Sequence, residues 1–178
     1  MGFGKAFLLS IAAFVGLNFI FTIIYYAIGP GFNVLFYNIQ TYPLMILYYL
    51  FGSIISTPYI ILDWTIAQPF LGNFDLTVLI LGLGYLAALI IAPILAGRFG
   101  ESKIQCLGGW LLTAVISTVS IIIAIFLSPF TQNHIFTTYT AYGWLTFDII
   151  LIRIIVSCII NIVFYGFFAL LVSKIEYY

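Results

Sequence analysis

From Leu76 to Gly97 the chain runs for 22 residues, LTVLILGLGYLAALIIAPILAG, without one charged or amide side chain. A helix of that length rises about 33 Å, enough to cross the hydrocarbon of a bilayer, for which about 20 apolar residues suffice. The same letters also hold Gly82-x-Gly84-x-x-Ala87 after an apolar LTVLIL, with Glu101 downstream. That is the outline of a dinucleotide-binding turn. Such a turn must open a helix with one wet face, and Tyr85 to Gly97 offers no polar face, so the soluble reading is excluded.

Three further stretches have the same character, and together they predict spans at about 6–28, 76–97, 107–130 and 147–172. Composition agrees: 65% of the residues are hydrophobic and 6% charged, against roughly 25% charged in a soluble domain. There is too little polar sequence to cover a water-facing surface. Lys5 followed by apolar residues resembles a signal peptide, but the run is too long and lacks a small-x-small cleavage site, so it reads as a retained first span. The expected fold class is all-α: a polytopic helical membrane bundle over residues 1–178, with four transmembrane helices plus a fifth membrane-embedded region, spanning or re-entrant.

That fifth region lies within residues 29–75. Its middle piece, LMILYYLFGSIISTPYIIL, is long enough to cross, but Gly52, Ser53, Ser56, Thr57 and Pro58 interrupt it. Cations gather on the cytoplasmic side of short loops. If residues 29–75 cross an even number of times, or dip and return, Lys5, Arg98, Lys103 and Lys174 share one side, and Asp63, Asp75 and His134 take the other. The even count is preferred. An integral multi-pass protein of the cell membrane is expected, surrounded by lipid. The absence of Asn-x-Ser/Thr sites and the bias toward Ile, Phe and Tyr fit a prokaryotic source.

Gly84, Ala88, Ala92, Ala96 and Gly100 recur every fourth residue, a row of small side chains along which another backbone can approach closely. Gly109, Thr113 and Ser117 continue the pattern in the next span, and the short RFGESK connection predicts that the two form an antiparallel hairpin. Pro93 predicts a kink, because it removes the bond to the carbonyl of Leu89.

Polar residues form two stripes. In the last span Arg153, Ser157, Asn161 and Tyr165 repeat every fourth position, and in the first Ser10, Asn18, Thr22 and Tyr26 stand four or eight apart. Facing stripes would line a solute path, or would serve as interhelical hydrogen-bond glue worth roughly 0.6 kcal/mol per contact. Arg153 lies five residues beyond Asp148, about 8 Å along a helix. It either snorkels to the interface or pairs with Asp63, Asp75 or Asp148. Trp64, Trp110 and Trp144 are expected at the interfacial belts.

Catalytic equipment is sparse. His134 is the one histidine, Cys106 and Cys158 are far apart, and no HExxH, GxSxG or P-loop pattern occurs. No catalytic site, metal or cofactor is expected, and the zero net charge argues against nucleic acid. Two functional classes remain. One is a structural or accessory subunit of a larger assembly, with other membrane protein subunits as partners. The other is a solute- or ion-transport component binding its ligand between the first and last helices.

Overall fold

A computed structural model describes residues 2–72, 74–143 and 146–173. Among these residues the secondary structure is helical throughout, and four helices are long and apolar enough to cross a membrane. They are α1 (Gly2–Ile28), α6 (Leu76–Phe99), α7 (Lys103–Leu127) and α9 (Phe147–Leu171). Shorter pieces lie between them: α2 (Phe32–Thr41), α3 (Met45–Phe51), α4 (Pro58–Leu62), α5 (Gln68–Leu71) and α8 (Pro129–Tyr139).

Local chemistry sets the ends of the long helices. The Asp75 carboxylate accepts from the amides of Thr77 (2.8 Å) and Val78 (3.5 Å), satisfying donors that the first turn of α6 leaves free. The Thr77 hydroxyl and amide hold the Asp75 carboxyl below its ordinary pKa. Ser102 starts α7 in the same way, accepting from Gln105 at 3.3 Å, and Thr146 starts α9, accepting from Ile149 at 3.4 Å. The third span was expected to run to residue 130, but α7 stops at Leu127. Pro129 forces Ser128 out of helical geometry (φ −134°, ψ 100°), and the Ser128 hydroxyl then caps α8.

Helix directions follow from residues in contact. Gly29, just past α1, lies against Thr77 at the start of α6; Gly84 lies against Phe21; and Gly2 lies against Glu101, just past α6. The two helices are therefore antiparallel along their whole length. In the same way Gly166 meets Leu107 and Trp110, so α9 is antiparallel to α7, while Gly97 meets Ala169, so α9 is parallel to α6. One end of the bundle carries Lys5, Arg98 and Lys103, and we call it the basic end. Asp75 and Asp148 start α6 and α9 at the other, acidic end.

Residues 29–75 leave and return at that same acidic end, so the segment is re-entrant with respect to the four long helices. Its two arms, Met45–Ile55 and Pro58–Leu71, meet at 96°. The tip, Gly52 to Ser56, is buried, and Ile54 and Ile55 have no exposed surface. A helix broken in the interior of a membrane bundle leaves backbone carbonyls that need partners. Asn161 supplies them, donating from Nδ2 to the carbonyls of Ile54 (2.7 Å) and Ser56 (3.1 Å). Asn161 is 14 residues into α9, about 21 Å along it, so the tip reaches past the middle of the bundle.

Candidate functional site

Both polar stripes are buried except at Arg153, the exposed first member of the α9 stripe. On α9, Ser157, Asn161 and Tyr165 are buried; on α1, Ser10, Asn18, Thr22 and Tyr26 are buried. The re-entrant segment takes the hydrogen bonds of both. Thr22 donates to the carbonyl of Tyr49 (3.4 Å), and Tyr26 and Tyr49 share a hydroxyl hydrogen bond (2.8 Å). Asn18 bonds back to the Phe14 carbonyl in its own helix (2.8 Å). Thr22 and Tyr26 of the α1 stripe also line a cavity, and Arg153 and Ser157 of the α9 stripe line a separate hollow.

Arg153 is exposed, and among the described residues it forms no ion pair with Asp63, Asp75 or Asp148. Asp63 is engaged elsewhere: it accepts from Gln68 Nε2 (2.8 Å) and from the Tyr142 hydroxyl in a short hydrogen bond. Asp148 is exposed in the first turn of α9, where the helix dipole favours a negative charge. Arg153 instead opens, with Tyr59, Tyr142 and Ser157, into a shallow surface hollow.

Small-residue seams also find partners that the sequence did not indicate. Ala88, Ala92 and Ala96 are completely buried, and Gly84 touches Phe21 of α1 so closely that no Cβ fits there. On α7, Gly109 sits against Ala6 and Phe7 of α1, while the Thr113 and Ser117 hydroxyls bond back to their own helix at 3.0 and 2.7 Å. Both seams thus hold α1, in addition to the hairpin contact between α6 and α7.

A cavity of about 310 Å³ lies toward the acidic end, between α1, α6, the re-entrant arms and α8. Helical spacing builds each wall. Thr22, Tyr25 and Tyr26 come from one face of α1, and Val78, Leu81 and Tyr85 from one face of α6. The descending arm adds Tyr48 and Tyr49, and the returning arm adds Trp64 and Gln68. Trp64 belongs to a π-helical turn, Asp63–Ala67, which packs against Gly82 of α6. Such turns insert an extra residue into a helix and are frequent at functional sites. His134 and Thr138, one helical turn apart on α8, close the side facing Tyr142.

The hydroxyl network of this cavity is largely internal. Asn38 donates to the Tyr26 and Tyr49 hydroxyls (3.3 and 3.2 Å), and Tyr85 donates to Tyr48 (3.3 Å). The Tyr48 ring meets His134 edge to face, with centroids 4.9 Å apart. Burial pushes the His134 imidazole below its ordinary pKa, which favours its neutral form. Burial first, and then the Asp63 carboxylate, push the Tyr142 phenol up, so it remains a donor. No Lys, Arg, Asp or Glu lines the cavity, yet Tyr142 and Gln68 both bond the carboxylate behind them.

Most of these residues escaped the sequence reading. Trp64, expected at an interfacial belt, is 5% exposed within the cavity, and Trp110, also expected at a belt, is buried against Phe14. Trp144 lies outside the described residues, as does Lys174. The available signal was the pairing Tyr25-Tyr26 and Tyr48-Tyr49, two aromatic doublets flanking a broken apolar segment. Among the described residues, no three His, Cys, Asp or Glu side chains converge on a point that could hold a metal ion.

Compared with the models of known families, with curated proteins and with solved structures, the chain matches none. Fold and composition define its class: a multi-pass helical membrane protein with four long apolar helices and a bent, buried fifth segment.

Proposed function

We propose that the protein is a non-enzymatic component of a membrane transport system, and that it binds a small amphipathic molecule in the aromatic cavity. The cavity carries this reading. Its volume of about 310 Å³ falls in the range of small-molecule sites, roughly 300–1,000 Å³, and it combines apolar walls with a few placed polar groups. It lies beside an interrupted helix, the feature around which many transporters build their binding sites. With Lys5, Arg98 and Lys103 on the cytoplasmic side of a cell membrane, the cavity belongs to the opposite face.

A structural or accessory subunit is the competing reading. It draws on small-residue seams that could dock other chains, but Gly84 and Gly109 are already occupied by Phe21, Ala6 and Phe7 of the same chain. Intramolecular packing accounts for the seams without a partner.

Native mass spectrometry of protein extracted in mild detergent tests the choice. A small molecule should accompany the wild type and be lost from Val78→Trp, which fills the cavity from the α6 wall, while the melting temperature stays the same or rises. A stoichiometric partner protein, with no small molecule in either form, would favour the accessory-subunit reading instead.

A further inference from the structure

We propose that the occupant of this cavity carries a quaternary ammonium group, held by the tyrosine and tryptophan rings. The inference rests on the binding role proposed above and names the ligand class. Six tyrosines and one tryptophan contribute to the lining, a density of electron-rich rings that suits a cation far better than an anion. An anionic ligand would find no Lys or Arg in the wall, and His134 is held toward its neutral form. Arg153 opens into the neighbouring hollow rather than the cavity.

The surrounding charge points the same way. Asp63 stands behind the lining, tied to it through Tyr142 and Gln68, and Asp75 and Asp148 sit at the same end of the bundle. These three carboxylates outnumber Arg153, the one described cation at this end, so the local charge is net negative without a carboxylate in the wall itself. That distinction selects among cations. A primary ammonium has three N–H donors and loses their water partners on entry, so it needs close acceptors in return. The wall offers those donors no carboxylate, only hydroxyl, amide and imidazole groups, and Asp63 behind it is already taken up by Tyr142 and Gln68. A quaternary ammonium has no N–H to satisfy and interacts through its methyl surface, which rings alone can serve.

The same headgroup occurs on free solutes and on choline lipids, and the test separates them. The protein is reconstituted in nanodiscs of phosphatidylethanolamine and phosphatidylglycerol, free of choline, and choline is compared with its uncharged isostere 3,3-dimethylbutan-1-ol by calorimetric titration and thermal melting. Choline should bind at least about tenfold more tightly than the isostere, since a desolvated cation on several rings gains well over a factor of ten. Tyr25→Leu should weaken that preference, and Tyr25→Phe should retain it because the ring face remains. The melting temperatures of the empty variants report whether either is misfolded. If a choline lipid is the natural occupant, phosphatidylcholine discs should raise the melting temperature and abolish the response to free choline. If a free solute is, the choline response should be the same in both lipids.

Equal binding of choline and its isostere would overturn the ammonium assignment while leaving a ligand site in place. So would silence toward choline combined with a melting shift from another component of a membrane extract. Silence toward choline, phosphatidylcholine and extract together would remove both the ligand class and the binding role.

Discussion

The side-chain amide of Asn161 in α9 donates to the carbonyl of Ile54, 107 residues earlier, over 2.7 Å, and a second bond of 3.1 Å reaches Ser56. These contacts pin the tip of the re-entrant segment at the depth where its helix breaks. Replacing Asn161 with Leu would leave two buried carbonyls without donors, at roughly 1–3 kcal/mol each. We expect Asn161→Leu to lose about 2–4 kcal/mol of stability in a denaturant titration in detergent. A change below about 0.5 kcal/mol, the level of an ordinary surface substitution, would show that the tip is held by other contacts.

Antiparallel packing of α1 and α6 makes a topological prediction. Cysteines placed at Lys5 and Lys103 should react with a membrane-impermeant maleimide from one side, and those at Asp75 and Asn133 from the other, in a background lacking Cys106 and Cys158. The native cysteines are poor reporters because both are buried. Labelling of Lys5→Cys and Lys103→Cys from opposite sides would contradict a re-entrant segment 29–75.

Close approach at Gly84 should be intolerant of size. A Cβ there meets the Phe21 side chain, so Gly84→Leu must separate α1 from α6 and should destabilise by about 3 kcal/mol or more. As a control, Ile91 is 40% exposed on α6, and Ile91→Leu should change stability by less than about 0.5 kcal/mol. Equal unfolding midpoints for the two variants would detach the seam from the fold.

Arg153 separates a buried ion pair from a peripheral cation. It is exposed and has no carboxylate partner among the described residues. Arg153→Leu should therefore leave stability within about 0.5 kcal/mol of wild type or raise it, whereas breaking a buried pair would remove about 3–5 kcal/mol. A loss of the larger size would revive the ion pair.

The lowered pKa of His134 has a signed consequence. Its protonated form is disfavoured in the folded protein, so its contribution to stability is full above the unfolded value near 6.5 and is lost as pH falls through the depressed folded value. Melting temperature should decline on acidification from pH 7 toward pH 5, and His134→Gln should flatten that part of the profile. An unchanged slope in the variant would assign the titration to other groups.

The membrane class and the four long helices are legible in the sequence because they depend on local quantities. Length, hydropathy and the capping side chains of Asp75, Ser102 and Thr146 act within a turn or two of where they stand. Burial of the stripe residues Asn18, Thr22, Ser157, Asn161 and Tyr165 follows from helical periodicity in the same way. What those stripes touch does not follow. Periodicity says which face avoids lipid but contains no information on the neighbour, and here a segment from residues 45–71 bonds Thr22 and Tyr26 of one stripe and Asn161 of the other. The cavity was hidden for a related reason. A tyrosine against lipid and a tyrosine lining a cavity look alike in a chain this apolar, and only the fold of the broken segment beneath α8 brings Tyr25, Tyr48, Trp64, Tyr85 and His134 around one space. Span number and helix ends are set by nearest neighbours along the chain, whereas the site depends on contacts between residues up to about a hundred positions apart, which only tertiary packing decides.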